Sequence, residues 1–289
     1  MEKNTSVACP ICKGDSVFSY AKNSHDIFSC AVCDLDFVWP IPESIADIYS
    51  EDYFYKNEET EGFGYTRYNE DKEAMRTVFE KELSHFESRV QKKTIFDVGA
   101  ATGYFLDIAK KRGWQTAGSE ISSYGYEAAK TQGHDMFLGL LPEYTTENTY
   151  SLVTMWDVLE HVDDCSGYIK KVNSMLETGG YVLINTIDKS SVWARLWGRK
   201  WNMIIPPEHV LFFSKKSLIK LLRQNGFSIV TIKRLSKSFS LSYIFKVLYE
   251  WQGFALWKYL AHAFDTPMWR KVTIPINVRD NIYIVAQKQ

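Results

Sequence analysis

The chain of 289 residues has almost no net charge, few cysteines, no apolar leader and no internal repeat, and each shortage excludes a class of protein. Its first ten residues are polar, so no secretory segment is read there. Five cysteines in so long a chain make no disulfide scaffold, and a reducing, cytoplasmic setting is expected. The apolar stretch 241–263 is interrupted by Lys246, Glu250 and Lys258. A charge at mid-bilayer costs roughly 3 kcal/mol, which argues against a spanning helix. What is present excludes disorder: 45% of the residues are apolar, enough for a large core.

The net charge of −1 is a cancellation. Residues 1–40 sum to −2, residues 41–92 and 93–188 to −6 each, and residues 189–275 to +12. Six of the nine tryptophans fall in that basic block, which points to an anionic partner or a membrane surface. Four segments follow from composition and turn residues: a cysteine-paired module over 1–40, an acidic helical lid or linker over 41–92, a ligand-binding domain over 93–235, and C-terminal helices with a final strand over 236–289. Strands are expected near 94–99, 115–119, 135–138, 150–156, 180–186, 227–234 and 281–287, with helices near 103–112, 123–132, 164–176 and 215–225. This alternation specifies an α/β, Rossmann-like seven-stranded sheet, mostly parallel, covered by helices on both faces. The last run has no helix after it and is expected to close the sheet antiparallel.

Cys9-Pro-Ile-Cys12 and Cys30-Ala-Val-Cys33 are separated by 17 residues, the spacing of a four-cysteine zinc ribbon. The alternative is two unrelated pairs of buried cysteines. A closed site of four thiolates is structural, and its acidic surroundings argue against nucleic acid. Cys165 stands alone.

Residues 94–106 read as an apolar strand, a turn with Gly99 and Gly103, and a helix start. Glycine lets the backbone approach a ligand, and a helix N-terminus offers unpaired N–H groups. A second strand ends in Glu120, 23 residues after Asp97, where an acid can accept from a ribose diol. Together these point to an adenosine-containing cofactor. With the run Asp157-Val-Leu-Glu-His161-Val, the segment Pro206-Pro-Glu-His209-Val-Leu-Phe-Phe-Ser214 and the terminal Asp280-Asn-Ile-Tyr-Ile-Val-Ala286, the chain resembles a class I S-adenosylmethionine-dependent methyltransferase. The resemblance is to the group of bacterial small-molecule methyltransferases that carry a zinc ribbon. It implies that Asp97 and the Gly99–Gly103 turn face the methionine part of the cofactor and that Glu120 holds the ribose hydroxyls. It further implies that Leu140 flanks the adenine and that Trp156 and Asp157 line the cleft near the sulfonium. Two positions depart from the family: Ala101 replaces the middle glycine of the turn, and Ser151 replaces an acid that often opens the fourth strand.

Methyl transfer is an in-line displacement that needs a base only when the acceptor must lose a proton. His209 suits that role, with an ordinary pKa of about 6.5; the alternative is a histidine that caps its loop. His161 is a second candidate, or a local hydrogen-bonding residue. Tyr65 and Tyr68 are lid residues or ordinary packing aromatics. Arg195, Arg199 and Lys200 could grip a phosphate or carboxylate with Trp201 walling the site, or form a solvated basic helix. Residues 241–263 read as one or two helices packed on the domain or on a second copy of the chain, a homodimer contact, with a membrane-surface helix as the alternative. The expected activity is methyl transfer to a small or carrier-linked anionic acceptor such as a sugar nucleotide or surface-polysaccharide precursor, slightly favouring oxygen. An isoprenoid-quinone or lipid methyltransferase is the alternative, and a non-catalytic binding module the third reading.

Overall fold

The computed structural model describes residues 6–42, 73, 75–234, 237–266, 269, 272–276 and 280–289. Tyr65, Tyr68 and most of the proposed lid lie outside these.

Four short strands, β1 (Val7–Ala8), β2 (Asp15–Lys22), β3 (His25–Cys30) and β4 (Leu35–Val38), form an antiparallel ribbon. The ribbon joins the rest of the molecule through β10 (Leu211–Phe212), which pairs antiparallel with β4. Its buried Val7, Ile11, Ile27, Phe28, Leu35 and Phe37 share one core with helices described below.

Next in the chain are α1 (Arg76–Glu87), β5 (Thr94–Val98), α2 (Tyr104–Lys111), β6 (Gln115–Glu120), α3 (Ser123–Thr131) and β7 (Asp135–Leu138). There follow β8 (Tyr150–Trp156), α4 (Cys165–Met175), β9 (Leu176–Ile187), α5 (Val192–Trp197), α6 (Lys215–Gln224), β11 (Phe227–Lys233) and, last in the chain, β14 (Asn281–Lys288). The main sheet has the order β7-β6-β5-β8-β9-β14-β11, and β14 alone runs against the others. The final strand was expected to close the sheet; instead it inserts between β9 and β11, and β11 becomes the edge. Its buried run of six residues, Asn281 to Ala286, has the two-sided burial of an interior strand.

β8 is buried along its whole length and alternates between two cores. Val153 and Met155 face α4 and α6, which present Ile169 and Val172 and Leu218, Leu221 and Leu222 at helical spacing. Leu152 and Trp156 face α1 and α2, which present Phe79, Leu83 and Phe86 and Phe105, Leu106 and Ala109. Segment 41–92 thus contributes a sheet-covering helix, α1, whose buried Glu82 accepts from Lys233 and the Tyr283 hydroxyl. Asp164 caps α4, and Ser214 and Ser217 form a reciprocal cap on α6.

A two-stranded sheet of β12 (Lys237–Ser240) and β13 (Thr273–Ile276) leads into a pair of helices, α7 (Leu241–Gln252) and α8 (Ala255–Ala263), which pack on each other. The α8 helix buries none of its residues, and Phe254, Leu256 and Tyr259 beside and along it are exposed. Among the described residues no helix is long and apolar enough to cross a membrane.

Candidate functional site

Chain order reverses between β5 and β8: β6 and β7 build outward on one side of β5, and β8 starts the other. In such sheets the crevice beyond the carboxyl ends of the strands at this switch is where ligands bind. The two segments leaving it here are the turn after β5 and the bend after β8.

After β5 the backbone enters the left-handed region at Gly99 (φ 68°), Ala101 (φ 50°) and Gly103 (φ 82°). A β-carbon on Gly99 would lie 2.8 Å from a Val158 methyl, and one on Gly103 3.0 Å from Ala129, so both positions require glycine. Ala101 departs from that rule and carries about 1 kcal/mol of strain. Its N–H donates to the Glu120 carboxylate at 2.7 Å, which helps hold it there. Asp97, buried at the end of β5, accepts from Thr154 at 2.6 Å. Beneath the turn, buried His134 contacts Thr116 through Nδ1 at 2.8 Å and Asp107 through Nε2 at 3.2 Å, and its ring lies 3.1 Å from the space of a Gly103 β-carbon.

Glu120 ends β6 and is buried. Its Oε1 accepts from the N–H groups of Ile121 (2.9 Å) and Ser122 (2.8 Å), and its Oε2 from Ala101. Burial pushes its carboxyl up against the pull of these three donors. Leu140 is exposed beyond β7, its N–H donating to Glu143. At the end of β8, Trp156 is buried against Phe79 and Phe105, with ring centroids 4.8 and 5.5 Å away, and its Nε1 has no partner among the described residues. Asp157 follows with φ 55° and accepts from the Asn185 amide, which is itself held by Asn281.

The bend after Asp157 carries Glu160 and His161, and the loop before β10 brings Glu208 and His209 against them. The His161 and His209 rings lie 4.6 Å apart, edge to face. Ligand atoms of Glu160, His161 and His209 all fall within 4.8 Å of one another, close enough to share a proton or a cation. His161 Nδ1 donates to the Glu208 carbonyl at 2.8 Å and His209 Nδ1 to the Met203 carbonyl at 2.8 Å. Carbonyls only accept, so each ring carries a proton on Nδ1, and in the neutral ring it is Nε2 that can accept. Glu160 accepts from Thr186 at 2.7 Å, and buried Glu208 has an Oε2 with no hydrogen-bond partner among the described residues. Burial holds the His161 imidazole below its ordinary value and pushes the Glu208 carboxyl up. The two motifs were legible in sequence, but Glu160 and Glu208 within them were not singled out.

The basic segment divides. Arg195 is exposed beside an open groove. Arg199 turns to the ribbon, its guanidinium 5.0 Å from the Tyr20 ring centre and donating to Ser19. Trp201, expected to wall the acceptor site, is fully buried in the main core with its Nε1 unpartnered among the described residues.

In the ribbon, Cys9, Cys12, Cys30 and Cys33 bring their sulfurs within 4.8 Å of one another, and all are free thiols. The two knuckles end alike: Lys13 N–H bonds to Cys9 O and Asp34 N–H to Cys30 O, with Lys13 and Asp34 both at φ 59°. Four sulfurs converging without a disulfide fit a tetrahedral zinc ion. Burial pushes the Cys9 thiol up to about 11. At Cys12 burial acts the same way, but hydrogen bonds from Cys33, the Gly14 backbone and the other thiols outweigh it and bring the value down to about 7.

Replacing Glu120 by Ala strands the three N–H groups it accepts and opens the turn. Hydrogen bonds to a charged group contribute about 1.5–3 kcal/mol. S-adenosylmethionine should therefore bind Glu120→Ala roughly 10- to 100-fold more weakly in titration calorimetry, with Glu120→Gln intermediate.

Comparison with known proteins agrees with this geometry. The family described as a methyltransferase domain matches residues 68–232. A ubiquinone biosynthesis O-methyltransferase of Vibrio parahaemolyticus is 25% identical over 146 residues, covering 46% of this chain and 62% of the relative. That of Aliivibrio fischeri is 27% identical over 150 residues, covering 46% and 63%. The chain thus spans less than two thirds of the length of these curated relatives. Among solved structures, the magnesium protoporphyrin IX methyltransferase of Synechocystis with bound SAH superposes with a TM-score of 0.51 at 13% identity, over 80% of this chain and 90% of that one. A Pyrococcus horikoshii protein superposes at 0.51 and 13% identity, over 78% and 92%. At these identities the likeness is one of fold.

Proposed function

The chain belongs to the methyltransferase-domain family, and from that premise we propose that it is an S-adenosylmethionine-dependent methyltransferase that methylates a hydroxyl oxygen, using His209 as the base. One observation carries this reading: two histidines, each with Nδ1 fixed by a backbone carbonyl, meet with ring centroids 4.6 Å apart beside Glu160 and Glu208. A neutral histidine there suits an acceptor that must lose a proton, as a hydroxyl must.

Glu120 accepts the ribose hydroxyls, the Gly99–Gly103 turn and Asp97 take the amino-acid end, and Leu140 lies against the base. S-adenosylmethionine supplies an electrophilic methyl group on its sulfonium. Asp157, held by Asn185, closes the crevice near that group, and Trp156 backs it from the core. His209 Nε2 takes the acceptor's proton. His161 stays neutral at its side, because a protonated ring 4.6 Å away would oppose the charge that His209 gains.

This arrangement sets a pH dependence. Burial lowers the His161 pKa, so the ring is neutral at neutral pH and protonates only below its ordinary value of about 6.5. Turnover should be flat above that value and fall as pH drops, and His161→Asn should move the acid limb. An acid limb unchanged by His161→Asn would remove His161 from the account.

The acceptor is of two candidate kinds. Relatives that bear the name of ubiquinone biosynthesis O-methyltransferases favour a quinone-type or other lipid hydroxyl. The net charge of +12 over residues 189–275 favours a phosphate-bearing one such as a sugar nucleotide. Transfer of a labelled methyl group to panels of both kinds decides between them, and no transfer to any hydroxyl-bearing acceptor would overturn the oxygen reading.

A further inference from the structure

An open groove of about 680 Å³ lies between α5, α6 and the ribbon's second cysteine knuckle. Five cations line it: Arg195, Lys215, Lys216, Lys220 and Arg223. None of their side chains has an ion pair or hydrogen bond with another described residue. The single acid in the lining, Asp34, is already held by Lys189 at 3.1 Å. Among the described residues these cations meet little opposite charge, and like charges gathered together repel one another, a repulsion that a bound anion would relieve.

The neighbouring α5 helix says which kind of anion. It is tied down by its Ser191 cap and by Ala194, its one buried residue. Val192 is 79% exposed, Leu196 74% and Trp193 37%. At such exposure Val192 and Leu196 stand out from the surface, while the half-exposed Trp193 packs edge to face on Trp197. Projecting aliphatic side chains with a half-exposed tryptophan beside a cluster of cations are the pattern of a surface that seats in the headgroup layer of a membrane.

We propose that α5 and the basic face of α6 dock this chain on anionic phospholipid bilayers, with Val192, Trp193 and Leu196 entering the headgroup–acyl boundary and the groove cations meeting lipid phosphates. The surface is distinct from the α7–α8 pair, and the proposal does not depend on which acceptor is methylated. Flotation with vesicles of phosphatidylglycerol and phosphatidylcholine, against phosphatidylcholine alone, tests it on the full chain. The expected result is binding to the anionic vesicles only, lost in high salt. Each cation near such a surface is worth roughly fivefold, so Lys215→Glu/Lys216→Glu/Lys220→Glu should weaken binding by 100-fold or more at that rate. Val192→Ser/Leu196→Ser should weaken it separately. All five positions are at the surface, and unchanged melting temperature and cofactor binding show that each variant is folded. Three results would overturn the proposal: no flotation of the wild type, flotation of both variants like wild type, or loss of flotation in Leu256→Ser/Tyr259→Ser alone. Retention on poly-L-glutamate without vesicle binding would likewise overturn it in favour of an acidic protein.

Discussion

His209→Ala is expected to lower kcat by roughly 100- to 10,000-fold while leaving the Kd for S-adenosylmethionine within about twofold. The magnitude is that of removing a positioned base. The split between turnover and binding follows from position: His209 reaches the site from the loop before β10, whereas the turn after β5 and Glu120 come from other strands. The ring also ties its loop together by donating to Met203, so Ala alone would confound chemistry with loop anchoring. His209→Asn separates them, because its amide can donate to the same carbonyl but accepts no proton at neutral pH. Loss in both variants assigns the base; recovery in Asn assigns a loop cap and ends the catalytic role.

We propose that the four converging cysteines hold zinc, and removing it should produce the largest change in stability. Structural zinc contributes roughly 10 kcal/mol or more in isolated finger peptides. Part of that is retained here, because β4 pairs with β10 and the ribbon shares its core with α4 and α6. Several kcal/mol should remain at stake, and about 1 kcal/mol moves the midpoint by 2–4 °C in a chain of this size. Chelator, or Cys33→Ser, should therefore lower the melting temperature by about 10 °C or more, together with a fall from one zinc per chain to none. Cys165 is the control. It is buried near Cys9 but outside the four-sulfur cluster, and Cys165→Ala should leave the metal content intact.

The parts of the site that lie on regular elements were legible before any coordinates. An apolar strand followed by glycines, an acid at the tip of the next strand, and the acid after β8 are set by period and spacing, and the structure carries all three to one crevice. Residues on irregular backbone were not. Nothing in the order of residues 198–210 indicates that Trp201 turns into the core while His209 turns toward His161. Arg199 was grouped with Arg195 by proximity, yet its partners, Ser19 and Tyr20, lie about 180 positions earlier in the chain. Glu160 and Glu208 stood next to chosen histidines, but only their meeting across two loops gives them a role. The strand β14 shows the same limit at the level of topology: its apolar run predicts a strand, and its place between β9 and β11 depends on pairing, which local pattern does not encode.

The central claim is that the crevice at the β5–β8 switch holds S-adenosylmethionine for methyl transfer. Titration calorimetry of the full, zinc-loaded chain with S-adenosylmethionine addresses it most directly. One saturable site per chain, competed by S-adenosylhomocysteine and weakened in Glu120→Ala, is the predicted result; no heat at high protein concentration in a folded, metal-replete sample would contradict it.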